Sequence, residues 1–427
     1  MRHTFILVCA LVSALAVANG AEARNLYISP GGDDSDGTSW KKAFKSFTSI
    51  DWDKVASGDQ LMVDGGESST TYSGAFTIPR SNIVIRQAGG KGRSGQVIIT
   101  GQGQPQAQTG VTFGGSNIHM IGRRRSGIKI SYFAAELVRI QTNNNSLRNV
   151  ELGGVTGYPP YGQGRVGSLV FGGQNNHFIN CDFRESTRCA VDTPVEGVNN
   201  LSVFNNCTFG NNGYGWWGEW GVGIYGNRTR SATNTIYARH CVFGSYLNKG
   251  VEARQGRWSI TDSLFLGSSA ANLSFEPTDS NALAVVRNCT LYEPNFTNAP
   301  PSQYRLTQYN IITNGSGTLR VRDSIVYGGE IHVPVDQVIR GGGNVQFHIT
   351  GNTTALASAL VDPQFVQESQ LWKPITGATI SPRVFTTQSY ALSPASPALG
   401  KGSSITDVTS IVPAYGPTGH LPPLGGP

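Results

Sequence analysis

The chain has 427 residues, with 33 Lys and Arg against 27 Asp and Glu for a net charge of +6, and 54 of its residues are glycine. An apolar share of 38% excludes a disordered chain, and the near absence of helical periodicity excludes an all-α fold. A basic balance on an exported protein inclines it toward acidic partners such as uronate or sulfated polysaccharides.

The chain opens with Arg2 and His3, an apolar run from Phe5 to Ala18, and Ala21-Glu22-Ala23. This reads as a secretory signal peptide over residues 1–23, too short to cross a membrane as a helix. No second apolar run of that length follows, so no transmembrane segment is expected and the mature protein should be secreted, either extracellular or periplasmic. Residues 24–66 hold a short strand at Asn25 to Pro30, a polar loop at Gly31 to Thr38, and then Trp40, Phe44, Phe47 and Ile50 at helical spacing. That spacing predicts an amphipathic capping helix over Trp40 to Val55, laid across an open end of the fold.

A four-residue phrase then recurs through residues 67–400. Copies begin at Asn82, Asn117, Asn149, Asn180, Asn206, His240, Asp262, Asn288, Asp323 and Asn344, in steps of 21 to 35 residues. Its second and fourth residues are apolar and its third is usually polar, which is the period of a strand with one face inward. The leading Asn or Asp suits a tight corner, because its side chain tolerates the left-handed backbone region and can bond to its equivalent one coil away. A strand-like unit repeating at this length predicts a solenoid, read here as a right-handed single-stranded parallel β-helix.

Cys9 leaves with the signal. Cys181, Cys207, Cys241 and Cys289 share the phrase's inward position, and Cys189 stands apart. The four suit either a stack of small side chains or disulfides between adjacent coils, such as Cys181 with Cys207. Residues 401–427 are rich in Pro and Gly and read as a loose tail.

Several phrases resemble those of the secreted pectate-lyase-like β-helix superfamily. They are Tyr27-Ile28-Ser29-Pro30-Gly31-Gly32, Gly37-Thr38-Ser39-Trp40, Gly58-Asp59-Gln60-Leu61-Met62-Val63, and the closing stretches Leu360 to Phe365 and Tyr390 to Leu399. The resemblance implies the architecture and leaves the chemistry open, since lyases, hydrolases, epimerases, esterases and noncatalytic adhesins share it. The motif sets of polygalacturonases, of the main pectate lyase family and of mannuronan epimerases are absent.

The loop from Asn211 to Gly221 gathers Tyr214, Trp216, Trp217 and Trp220. Flat aromatic faces stack on sugar rings, so these residues are expected to bind substrate, the bland alternative being a plug over the coil. Aligning Val191 to Pro194, Val222 to Tyr225, Val251 to Arg254 and Leu273 to Glu276 by alternation predicts two outward columns. One holds Asp192, Gly223, Glu252 and Ser274, the other Pro194, Tyr225, Arg254 and Glu276.

Two chemistries suit that wall. For β-elimination from a uronic acid, Glu252 with Glu219 or Glu276 could hold a calcium ion, while Lys249, Arg254 or Tyr225 takes the proton or steadies charge, Arg254 or Lys249 being the favoured choice. For inverting hydrolysis, Asp192 and Glu252 would stand about 9.6 Å apart, with Gly223 leaving room for water. The bland reading makes Arg254 and Glu276 a surface salt bridge. Arg123-Arg124-Arg125 reads as a solvated turn or a subsite for an acidic chain, and His119, His177, His332 and His348 as core or surface residues. The sequence-level expectation is therefore a polysaccharide lyase on an acidic polysaccharide, acting as a monomer. An inverting glycoside hydrolase and a noncatalytic glycan-binding β-helix are the alternatives, and nucleic acid is not an expected partner.

Overall fold

The leading residue of the repeated phrase turns the chain from one wall of the solenoid to the next. The computed structural model describes residues 23–102, 109–133, 136–153, 167–184, 189–193, 200–210, 222–226, 234–244, 249–266, 268, 271–292, 309–332, 338–342, 344–347, 350–351, 358–360 and 394–396. They form three parallel sheets of 12, 11 and 12 strands, each strand pairing with its equivalent one coil away. Sheet 1 begins at Asn25–Ile28, sheet 2 at Phe76–Ile78 and sheet 3 at Ser69–Ser73. One coil runs through Asn176–Ile179 in sheet 1, Asp182–Arg184 in sheet 3 and Cys189–Thr193 in sheet 2, giving the right-handed parallel β-helix expected.

Between sheets 1 and 3 the corner is a single residue. Asn149, Asn180, Asn206, His240, Asp262, Asn288 and Asp323 all have φ between 49° and 59° there. Asn180 donates its side-chain amide to Asn149 Oδ1 at 2.5 Å, and Asn206 donates to Asn180 at 3.2 Å. The next residue points inward, so Cys181, Cys207, Cys241 and Cys289 are fully buried, and no disulfide joins them. Burial pushes the Cys289 thiol up to about 12, so it is inert as a nucleophile. The fourth residue stacks on its neighbours: Phe183 on Phe209, Phe209 on Phe243 and Phe243 on Phe265, with ring centroids 4.9, 4.9 and 4.5 Å apart.

Not all copies of the phrase stand at this corner. Asn82 and Asn117 lie before sheet 1, where they align with Asn144 and Asn175. Asn117 donates to Asn82 at 2.7 Å and Asn175 to Asn144 at 2.9 Å. The two corners make the same demand, a left-handed residue followed by an inward one, so one phrase serves both. Asn344 opens its strand one position later, and its side-chain oxygen accepts from the Ser324 amide.

The predicted capping helix is not there. Residues 40–55 are turns joined to the barrel by a bridge between Ile28 and Phe44. Polar side chains take the backbone groups a helix would have used: Asp34 accepts from the Lys45 amide and the Ser49 hydroxyl, and Ser46 and Ser49 bond each other's amides. The apolar spacing still closes the end of the solenoid, since Phe44, Phe47 and Ile50 are buried and Phe47 stacks on Phe76 at 4.4 Å.

The corner geometry makes a direct prediction. Asn180→Gly keeps the positive φ and loses the amide bonds, whereas Asn180→Ala loses both. The glycine variant should therefore be the more stable by about 1 kcal/mol in urea denaturation. The reverse order would show that backbone conformation does not limit this position.

Candidate active site on the second sheet

Sheet 2 carries the residues on which the sequence reading converged. Val191, Ile224, Val251 and Leu273 pair coil to coil and point into the core. The residue after each points outward, and the pairing Asp192 to Tyr225, Tyr225 to Glu252 and Glu252 to Ser274 makes one column. Tyr225, not Gly223, thus stands between Asp192 and Glu252. The expected alignment was two residues off in this strand, a slip that leaves the inward and outward sets unchanged and so escapes any test by alternation. It removes the open position that hydrolysis needed between the two carboxylates.

Gly226 follows Tyr225, and a Cβ there would sit 2.7 Å from the Trp258 ring. Only glycine lets this strand close over the buried indole, whose N–H donates to the Gln255 carbonyl at 2.8 Å.

Four charges meet at the end of the column. Arg254 donates to Glu252 Oε1 at 2.5 Å and lies 3.4 Å from Glu276 Oε2. The Lys249 ammonium bridges the same two carboxylates, 3.1 Å from Glu252 Oε2 and 2.9 Å from Glu276 Oε1. Ser274 donates its hydroxyl to Glu276 Oε1 at 2.5 Å, a role its place in the column did not announce. Arg254 also lies over the Tyr225 ring, 5.7 Å from its centroid. Burial alone would raise the Glu276 carboxyl, but Lys249, the Ser274 hydroxyl and Arg254 outweigh it and hold it below the usual carboxylate range.

An outward position alone would leave these side chains in solvent. Instead Asp192 is 1% exposed, Glu252 4% and Arg254 8%, although all three face away from the core. Lys249 and Glu276 are the accessible edge of the cluster, with side chains 19% and 20% exposed. Pro194, Tyr214, Trp216, Trp217, Glu219 and Trp220 lie outside the described residues.

Of the carboxylates expected to hold calcium, the two that are described, Glu252 and Glu276, do not suit the ion as they stand. Both oxygens of Glu252 and both of Glu276 already face an ammonium, a guanidinium or a hydroxyl, and a hard divalent ion would have to displace two cations to enter. Among the described residues no group of three His, Cys, Asp or Glu is placed to hold a metal ion.

The other singled-out residues have structural surroundings. Arg125 reaches across coils to Asp182 at 2.7 Å, to Asn180 at 2.8 Å and to Thr208 at 3.1 Å, so it is not a free turn residue. Arg123 and Arg124 beside it are exposed. His119 bonds Ser146 and Asn117, each at 2.8 Å, and His177 bonds Asn175 at 2.7 Å. Among the described residues no helix is long and apolar enough to cross a membrane.

No family model and no curated protein matches the chain. Among solved structures, pectate lyase Pel9A is 14% identical over 91% of this chain and 96% of its own, with a TM-score of 0.57. The GH136 lacto-N-biosidase from Eubacterium ramulus is 11% identical over 78% of this chain and 66% of its own, with a TM-score of 0.44. PfbA, a surface adhesin of Streptococcus pneumoniae, is 12% identical over 75% of this chain and 85% of its own, with a TM-score of 0.42. The likeness to the pectate lyase is one of fold, a parallel β-helix along nearly the whole of both chains.

Proposed function

We propose that this chain is a secreted carbohydrate-active protein that cleaves a uronate-containing polysaccharide by β-elimination on sheet 2. The observation that carries the reading is the cluster of Lys249 and Arg254 beside Tyr225. Elimination requires the C6 carboxylate of the sugar to be neutralised, the C5 proton removed and the C4–O4 bond broken, the electron pair forming a C4–C5 double bond. Lys249 and Arg254 supply the neutralising charge by turning from Glu252 and Glu276 to the substrate. A guanidinium keeps its proton in proteins, so Arg254 is a clamp and not a base. Tyr225, as its phenolate, takes the C5 proton and returns it to the departing O4. Tyr214, Trp216, Trp217 and Trp220 are the proposed sugar-stacking residues. The fold shared with a pectate lyase agrees with this reading.

A second reading, a noncatalytic glycan-binding β-helix, draws on the balance of the same cluster: two cations and two carboxylates satisfy one another. Incubation with polygalacturonate, alginate and glycosaminoglycans separates the two by the ultraviolet absorbance of unsaturated uronates. New absorbance that Arg254→Ala or Lys249→Ala abolishes supports elimination, and binding without absorbance supports the noncatalytic reading. Because the carboxylates are taken by cations, a chelator should leave the rate unchanged. Activity lost to chelation and restored by calcium would sink the metal-free mechanism.

A further inference from the structure

The outer face of sheet 1 is a different surface from the one just described, and its charge is one-sided. Among the described strands of this sheet no Asp or Glu occurs. The pairing sets Arg86, Arg148, Arg239, Arg287 and Arg322 in a single outward column, interrupted by Ile121, Ile179, Asn205 and Thr261. Eight coil spacings of about 4.8 Å stretch that column over roughly 38 Å along the solenoid axis. To one side of it on the same face, Arg320 holds the next outward position, two residues before Arg322, and Arg257 the position beyond that, four residues before Thr261.

The last four coils are the densest part. Arg287 and Arg322 are direct neighbours on adjacent coils, an arrangement of like charges that costs stability unless an anion lies against it. Asp262 and Asp323 at the corner relieve part of this, Asp262 pairing with Arg239 at 3.1 Å and Asp323 with Arg287 at 3.2 Å. Among the described residues no carboxylate pairs with Arg148, Arg257, Arg320 or Arg322. Tyr237, at 45% exposure the exposed large hydrophobic residue of the described chain, lies two positions from Arg239 and on the coil next to Arg257.

We propose that this face binds a linear anionic polysaccharide lying along the solenoid axis, with the arginines on its acidic groups and Tyr237 under a sugar ring. The main column is straight, with Arg320 and Arg257 to one side of it and, among the described residues, no second parallel file of arginines, which suits a single polymer strand bearing one acidic group every unit or two, and not the paired phosphate rows of a duplex. An aromatic ring lying among guanidinium groups offers a sugar its apolar face and its carboxylate a cation together. The surface would hold polymer to the protein while cleavage proceeds on sheet 2. It rests on the proposed function only for the class of sugar.

The full chain should bind polygalacturonate with an affinity that falls steeply with salt, and should not bind neutral dextran. The triple variant Arg257→Ala, Arg320→Ala, Arg322→Ala should weaken that binding about tenfold or more, Tyr237→Ala should weaken it less, and replacement of the same three arginines by lysine should restore most of it. Unchanged binding in the triple variant, equal binding of dextran, or tighter binding of duplex DNA than of polygalacturonate at the same salt would overturn the assignment. Cleavage of short oligouronates, which cannot span the face, should proceed normally in the triple variant. A protein that cleaves nothing yet loses polymer in this variant keeps the surface and removes the proposed function, and the opposite pattern does the reverse.

Discussion

Replacing Asp182 by alanine is expected to destabilise the solenoid by about 3–5 kcal/mol, the loss typical of breaking a buried ion pair from one side. Its side chain is 2% exposed and accepts from Arg125, Ser126 and Thr208, so its removal takes a buried counter-charge from a guanidinium that is one-quarter exposed. Asn180 and the Asn206 carbonyl, which also accept from Arg125, are neutral and cannot replace it. Urea denaturation of Asp182→Ala, Arg125→Met and the double variant measures the coupling. If the double variant is no more stable than Asp182→Ala, the loss of Asp182's charge opposite Arg125 is not the cause.

The same carboxylate predicts a pH dependence. Burial raises its pKa, but the hydrogen bonds and charge of Arg125, with Thr208 and Arg184 adding to them, hold it below the ordinary value. A folded-state pKa below the unfolded one means the unfolded chain binds more protons in the interval between them, so stability rises with pH there. The contribution is complete above the unfolded carboxylate value and is lost as pH falls through the lower folded value. Acid titration of the melting temperature should show this loss in the parent and not in Asp182→Asn.

Tyr225→Phe is expected to lower product formation by about 10²–10⁴-fold, the range attributed to a positioned acid or base. The substitution deletes one hydroxyl and keeps the ring over which Arg254 lies, so the charge cluster should survive and thermal stability should change little. Activity on polyuronates within a few-fold of the parent would remove Tyr225 from the chemistry and return the base to the neighbourhood of Lys249.

How far the sequence carried the site depended on which distances alternation can measure. The phrase at Asn180-Cys181-Asp182-Phe183 was legible because corner, inward thiol, outward carboxylate and inward ring follow from local backbone geometry alone. Tyr225 was placed on the correct face and the wrong neighbour, since Val222 and Ile224 are equally good inward partners for Val191. Asn144 and Asn175 were missed because the residues after them, Asn145 and Asn176, are polar where the phrase asks for an apolar side chain; both are fully buried all the same, Asn145 Oδ1 accepting from the Ile118 amide and Asn176 Oδ1 from the Asn145 amide. Helical spacing at Phe44, Phe47 and Ile50 was real as a burial pattern and misleading as a conformation, because Asp34, Ser46 and Ser49 compete for the backbone.

The amino-acid order by itself determined that the chain winds into parallel coils and which side of each strand faces inward, because both follow from interactions a few residues long. Only the tertiary structure decided which outward residues stand together: Lys249 with Glu276, Arg125 with Asp182, and the file of arginines on sheet 1. Those meetings depend on loops of unequal length that set how each coil is registered on the last, and a slip of two residues costs the local pattern nothing while exchanging every neighbour on the wall.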